Sequence, residues 1–266
     1  MTSYAQELFS LEGTVALVTG ATRGIGLAAV RALASAGAHT ILTGLESEHP
    51  VAVADGLRTE GLSVEGRILD VTDAQAQAAL IADIAREHGR LDTVVCNAGM
   101  AIDPFTEPGQ PQRGDEAGLD ALDFMFNVHV RSVVDLCDHA CPVMASGGGG
   151  AIVIMSSLAG VRGNSAIGLY GITKAANAQL ARNLAVQWGP MNIRANAIAP
   201  GVIDTAFATP ITGDPALAER RKDKTPLRRF GSVDNIAGTI LYLAGPAGSF
   251  TSGETIVIDG GTFIKD

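Results

Sequence analysis

The feature that most constrains this chain is an alternation along its length: short runs rich in β-branched residues are separated by longer, alanine-rich stretches of helical period. Strands are expected at 14–19, 40–43, 64–69, 93–96, 151–155, 194–197 and 255–258. Helices are expected at 25–36, 74–88, 119–144, 169–188 and 233–243. Strands that read as unbroken apolar runs are buried on both faces, and parallel neighbours need a helical crossover. The pattern therefore predicts an α/β chain whose seven-stranded parallel sheet is flanked by helices on both sides. No linker or internal repeat divides it, so 1–266 reads as a single domain. Two segments, 102–118 and 207–224, fall outside the alternation and are expected as loops or short helices near a substrate. The glycine tract at 147–150 reads as a helix-to-strand turn.

Composition narrows the function classes. Hydrophobic residues make up 47% of the chain and charged residues 18%, which is the balance of a folded domain rather than a disordered one. A net charge of −9 repels a phosphate backbone and an anionic bilayer, so neither nucleic acid nor membrane is expected as a partner. No apolar run approaches the roughly 20 residues that span a bilayer, and the opening MTSYAQELFSLEG lacks the basic and apolar regions of a signal peptide. Cys96, Cys137 and Cys141 cannot make a disulfide framework, which suggests a reducing, cytoplasmic setting. Cys137 and Cys141 share a helix face around His139, but no second ligand pair follows, and no metal is expected. His39, His49, His88 and His129 are scattered and read as surface or packing residues. The positive mean hydropathy, +0.24, hints that apolar surface is buried between subunits.

Two constellations carry chemistry. The first strand runs into "TGATRGIG", which places Gly20, Gly24 and Gly26 at a strand-to-helix junction. There a sharp turn must let the backbone approach a pyrophosphate, and the unpaired N–H groups of the helix N-terminus stabilise its charge. Its place after the first strand of a βαβ unit is the one the phosphate turn of a doubly wound Rossmann fold requires. The residue that reads the adenosine ribose normally ends the second strand, but here Gly44 stands in its place, followed by Leu45 and Glu46. The second constellation is "YGITK", in which Tyr170 and Lys174 share a helix face. An ammonium beside a phenol is expected to lower the phenol pKa toward neutrality. Ser157, thirteen residues before Tyr170, lies at the carboxyl end of the fifth strand, where parallel sheets bind ligands.

With these residues in place the chain resembles the short-chain dehydrogenase/reductase (SDR) family over nearly its whole length. The resemblance rests on "TGATRGIG", "LDV" at 69–71, "CNAG" at 96–99, Asn127, the serine pair 156–157, "YGITK", "NAIAPGVIDT" at 196–205 and "IDGG" at 258–261. It implies NAD(P)(H)-dependent interconversion of a ketone and a secondary alcohol. Tyr170 would be the acid/base, Ser157 would hold the substrate oxygen, and Lys174 would tune Tyr170 and bond the nicotinamide ribose. Asn127 would position a water linking Lys174 to a proton relay. The resemblance assigns dinucleotide contacts to Gly20, Thr22, Arg23, Gly24, Ile25 and Gly26, and to Asp70 and Val71 near the adenine. Asn97, Ala98, Gly99, Pro200, Gly201, Ile203 and Thr205 complete the set. Cys96 replaces the first Asn of the family's usual "NNAG".

Arg23 and the absent carboxylate at Gly44 favour NADP(H), Leu45 and Glu46 oppose it, and a small preference for NADP(H) over NAD(H) is expected. A homotetramer is expected from the alanine-rich face of 169–188. Three other functions were weighed: a non-catalytic dinucleotide sensor, a cofactor-free SDR-like lyase and an enoyl reductase. The first lacks Tyr or Lys, the second lacks the glycine turn and has Arg for Lys, and the third separates Tyr and Lys by six residues. This chain keeps the turn and both side chains, with three residues between Tyr170 and Lys174.

Overall fold

The structure is a computed structural model and describes residues 3–100, 116–164 and 167–265. Seven strands, β1 (Val15–Val18), β2 (His39–Gly44), β3 (Val64–Ile68), β4 (Thr93–Cys96), β5 (Gly150–Met155), β6 (Ile193–Pro200) and β7 (Thr255–Ile258), form one sheet in the order β3-β2-β1-β4-β5-β6-β7. Every pairing is parallel. The order reverses between β1 and β4, which opens a crevice beyond their carboxyl ends, the place where doubly wound sheets bind ligands.

The helices are α1 (Tyr4–Phe9), α2 (Gly24–Ser35), α3 (Pro50–Thr59), α4 (Ala74–His88), α5 (Glu116–Phe126), α6 (Ser132–Ser146), α7 (Gly168–Trp188), α8 (Thr209–Thr212), α9 (Pro215–Asp223) and α10 (Val233–Ala244). Alternate strand residues face opposite sides, as the period of a strand requires. Val15, Leu17 and Ile41 join a core with Leu80, Ile84, Leu136, Met144, Ala178 and Leu184 from α4, α6 and α7. Ala16, Val18 and Leu42 join the opposite core with Val30, Leu33, Leu57, Ile236 and Ile240 from α2, α3 and α10.

The structure departs from the expected elements in three places. The long helix expected at 119–144 is interrupted: a π-helical turn, Asn127–Arg131, separates α5 from α6, and the Ser132 amide donates to the Asn127 carbonyl. Such an insertion leaves no trace in hydrophobic periodicity, and turns of this kind concentrate at functional sites. Helix α3 was not expected, because Val51, Val53 and Gly56 give it weak intrinsic propensity. Tertiary contact overrides that, with Ala54 and Leu57 buried and the chain pressed so close to β3 that a Cβ on Gly66 would lie 2.3 Å from the Pro50 carbonyl oxygen. Helix α1, also unexpected, is held by a capping box between Ser3 and Gln6. The segment 207–224 folds into α8 and α9 with Asp214 capping α9, as expected. Most of 102–118 lies outside the described residues.

Candidate active site

Gly20 and Gly24 adopt left-handed backbone, with φ of +60° and +58°, so the chain can turn from β1 into α2. The turn is clamped from beneath. The Asn97 side-chain amide donates to the Thr19 and Gly20 carbonyls at 3.0 and 2.8 Å, and the Thr19 hydroxyl accepts from the Asn97 and Ala98 amides. Asn97, expected as a dinucleotide contact, therefore holds the turn to β4. A Cβ on Gly20 would lie 2.7 Å from Ala98 Cα, and one on Gly26 would lie 2.5 Å from both Asn97 Nδ2 and the Gly20 oxygen. No side chain caps the N-terminus of α2. The cradle is thus stripped of side-chain atoms and presents uncapped helix N–H groups, and it fits a pyrophosphate. Thr205 closes its far side, 3.7 Å from where a Gly24 Cβ would stand. The loop carrying Thr205 starts at Gly201, pinned to the Ile258 carbonyl, and passes Ile203, which bridges to Gly231.

The rim of the cradle holds a residue that sequence reasoning passed over. Glu48 pairs with Arg23 at 2.7 Å and accepts the Leu45 amide at 3.1 Å. Gly44 is explained by packing: a Cβ there would meet Thr22 Cγ2 at 2.5 Å and Glu48 Oε2 at 3.0 Å. Asp70, just past β3, accepts from the Thr72 amide and hydroxyl, and Val71 accepts from Gln77.

Tyr170 and Lys174 lie on the first turns of α7, next to the carboxyl end of β5. Ser157 Oγ accepts the Ala159 amide at 3.1 Å, and Ser157 favours ionisation of the Tyr170 phenol. Lys174 is only 4% exposed, donates to the Met155 carbonyl at 2.9 Å and stands 5.6 Å from the Tyr170 ring centroid. The Ser156 hydroxyl is turned away to the Lys174 carbonyl, which leaves Ser157 as the serine beside Tyr170. Gly99 comes in from β4, and a Cβ there would lie 3.5 Å from Lys174 Nζ. Ser157, Tyr170, Lys174 and Gly99 are therefore one cluster, with the π-helical turn that begins at Asn127 alongside α7.

The electrostatics differ from the expectation that Lys174 lowers Tyr170. Burial pushes the Tyr170 phenol up to about 12, with the Ser157 hydrogen bond opposing it. Burial also brings Lys174 down to about 8. The ammonium lies by the ring rather than donating to the hydroxyl, so both groups are shifted toward their neutral forms by desolvation.

Two further residues join the cluster. His129, expected as surface or packing, is fully buried and stands edge-on to Tyr170 at 5.6 Å between centroids. Its Nε2 accepts the Met100 amide at 3.0 Å, so the ring proton is on Nδ1 and donates to Thr173 Oγ1 at 2.8 Å. Thr173 in turn donates to the Tyr170 carbonyl. Burial first, and the Lys174 charge second, bring His129 down to about 3, so it is a neutral imidazole. Phe207 enters from 207–224, with its ring centroid 6.3 Å from that of Tyr170. Neither residue belongs to a motif in the sequence. The cysteines form no site: Cys137 is buried against Cys96, and burial pushes Cys141 up as well.

Known proteins resemble this chain over nearly its whole length. A family model described as "Enoyl-(Acyl carrier protein) reductase" matches residues 20–262. "Dehydrogenase/reductase SDR family member 4" of Sus scrofa is 36% identical over 254 residues, covering 95% of this chain and 88% of that protein. Among solved structures, a gluconate 5-dehydrogenase of Burkholderia cenocepacia in complex with NADP and tartrate superposes with a TM-score of 0.90 at 28% identity, covering 99% of this chain and 100% of the other. An NADPH-dependent 3-quinuclidinone reductase of Rhodotorula rubra gives 0.88 at 27% identity, covering 100% and 97%.

Proposed function

Because this chain belongs to the short-chain dehydrogenase/reductase family and is an NAD(P)-dependent dehydrogenase/reductase, we propose that it interconverts a small ketone and its secondary alcohol, with Tyr170 passing the proton. The observation that carries this reading is the convergence of Tyr170, Ser157 and a buried Lys174 whose ammonium stands 5.6 Å from the Tyr170 ring centroid. Three residues separate Tyr170 and Lys174, which favours carbonyl over enoyl chemistry.

The glycine cradle with Thr22, Arg23 and Ile25 would hold the pyrophosphate, Asp70 and Val71 would flank the adenine, and Ala98, Gly99, Pro200, Gly201, Ile203 and Thr205 would line the rest of the dinucleotide. When bound, the nicotinamide supplies or accepts the hydride. Tyr170, held neutral by burial, is the proton donor a carbonyl oxygen needs as it becomes an alkoxide. Ser157 fixes that oxygen within reach of the phenol. Lys174 provides a positive charge beside the developing phenolate, an interaction strengthened by its burial. Asn127, which opens the π-helical turn beside α7, would position the water that returns a proton toward Lys174. Phe207 gives the pocket an apolar wall against water.

Arg23 at the rim supports a modest preference for NADP(H) over NAD(H), tempered by Glu48. Apolar side chains exposed on α7 support a homotetramer, and three unpaired cysteines suit a reducing cytoplasm. No helix among the described residues is long and apolar enough to cross a membrane.

Oxidation of NADPH and NADH at 340 nm against a panel of ketones tests this reading. Activity is expected with at least one ketone, and Tyr170→Phe is expected to lower kcat by about 10²–10⁴-fold while dinucleotide affinity stays within about threefold. A Tyr170→Phe enzyme that turns over at the wild-type rate contradicts the assignment.

A further inference from the structure

At the opposite end of the sheet, three side chains that no motif connects converge. His39 opens β2, Glu65 lies on the edge strand β3, and His88 ends α4. Their ligand atoms, one from each residue, all lie within 4.8 Å of one another. Glu65 Oε2 is 3.7 Å from His39 Nε2 and 3.8 Å from His88 Nε2, too far for hydrogen bonds. Both Nε2 atoms are buried and lack a hydrogen-bond partner among the described residues. Two orphaned imidazole nitrogens aimed at one carboxylate oxygen are costly to leave in place without a compensating partner.

We propose that His39 Nε2, Glu65 Oε2 and His88 Nε2 bind a divalent first-row transition metal ion, zinc being the one their chemistry suits best. Two imidazoles and a carboxylate form a common zinc donor set. Tetrahedral zinc with bonds of about 2.0–2.2 Å spaces its ligand atoms at about 3.3–3.5 Å, so contractions of a few tenths of an ångström close the Glu65 distances.

The surroundings are arranged as a metal site needs. His39 Nδ1 is 2.8 Å from Ser63 Oγ, which can accept the Nδ1 proton in the tautomer that leaves the Nε2 lone pair free for a metal. Arg67 holds the other Glu65 oxygen, Oε1, and its charge is offset by Glu87, so Oε2 stays directed at the imidazoles. The side chains retain between 21% and 30% exposure, so the cluster lies close beneath the surface. The site would clip the edge strand to β2 and to the end of α4. It lies at the amino ends of the strands, away from the crevice, and so its role is structural.

The test uses the untagged full chain, stripped by a chelator and titrated with Co(II) and then Zn(II). One equivalent of Co(II) is expected, with the visible bands of four- or five-coordinate nitrogen and oxygen ligation and no thiolate charge-transfer band. Zn(II) should displace it and raise the melting temperature by several degrees. His88→Gln and Glu65→Gln should each abolish saturable binding and the thermal shift. Ser63→Ala, which leaves all three ligands in place, should weaken binding by about 10–100-fold, and it keeps the test decisive if the ligand variants fail to fold. No stoichiometric binding to the wild type, a thiolate band, or affinity unchanged in Ser63→Ala and His88→Gln would each overturn the proposal.

Discussion

Arg23, exposed at 70% of its side chain, is held at 2.7 Å by Glu48, whose own side chain is 19% exposed, across the rim of the glycine cradle. A 2′-phosphate on the adenosine ribose would have to take Arg23 from this carboxylate or share it. Removing the carboxylate charge in Glu48→Gln should therefore raise the ratio of kcat/KM for NADPH over NADH. The gain expected is about three- to tenfold, below the one to two decades of an unscreened charge-assisted bond because the site faces solvent. Steady-state kinetics with both dinucleotides measure it. A ratio that stays level or falls would mean that Arg23 does not face the phosphate.

The cradle tolerates no side chain at Gly26. A methyl group there would stand 2.5 Å from the Gly20 carbonyl oxygen and 2.8 Å from Ala21 Cα, both backbone atoms that cannot swing aside. Gly26→Ala should cost about 1–3 kcal/mol of stability and weaken dinucleotide binding at least tenfold, as read by quenching of intrinsic fluorescence. Gly238, exposed on α10 with nothing within 4 Å of its absent Cβ, is the counterpart. Gly238→Ala should raise stability by about 0.5–1 kcal/mol. Equal melting temperatures for the two variants would refute the packing argument.

His129 ties acid stability to the site. Its folded pKa, about 3, lies below the 6.5 of the unfolded chain, so between those values the unfolded chain binds a proton that the folded chain refuses. The stabilisation is complete above about pH 6.5 and is lost as pH falls toward 3, with a slope of at most about 1.4 kcal/mol per pH unit from this one group. Urea unfolding from pH 7 to pH 4 should show His129→Gln losing stability less steeply than the wild type. Parallel slopes would show that other groups carry the acid transition.

Several large apolar side chains face solvent on one subunit. Ile172 and Val186 on α7 are 53% and 82% exposed, and Phe250 is fully exposed. Light scattering at micromolar concentration should give about four times the 27.3 kDa chain mass. Val186→Asp should shift the population to smaller species. A wild-type mass of one chain would remove the tetramer from the proposed function.

The sheet was legible in the sequence because its strands are buried on both faces and so read as apolar runs between helical periods. The glycine turn was legible because a backbone that approaches phosphate can be built from few other residues, whereas spacing showed Tyr170 and Lys174 only as helix-face neighbours and Ser157 only as a strand-end serine, and the family resemblance gave them their roles. Helix α3 was not, since Ala54 and Leu57 form it by packing on β3 against the local propensity of their neighbours. The π-helical turn at Asn127–Arg131 was hidden because one inserted residue barely disturbs an amphipathic stripe.

What only the tertiary structure decided are relations between residues distant in sequence. It paired Glu48 with Arg23, and placed His129 and Phe207 beside Tyr170. It also gathered His39, Glu65 and His88 at one corner of the sheet. It set the Tyr170 pKa as well, because spacing brings Lys174 to the same helix face, whereas burial and the direction of an ammonium N–H decide whether its charge reaches the phenol oxygen. Sequence periodicity specifies which face of an element is buried; it carries no term for the distance between two polar atoms on different elements, and that distance governs ion pairing, proton affinity and metal binding.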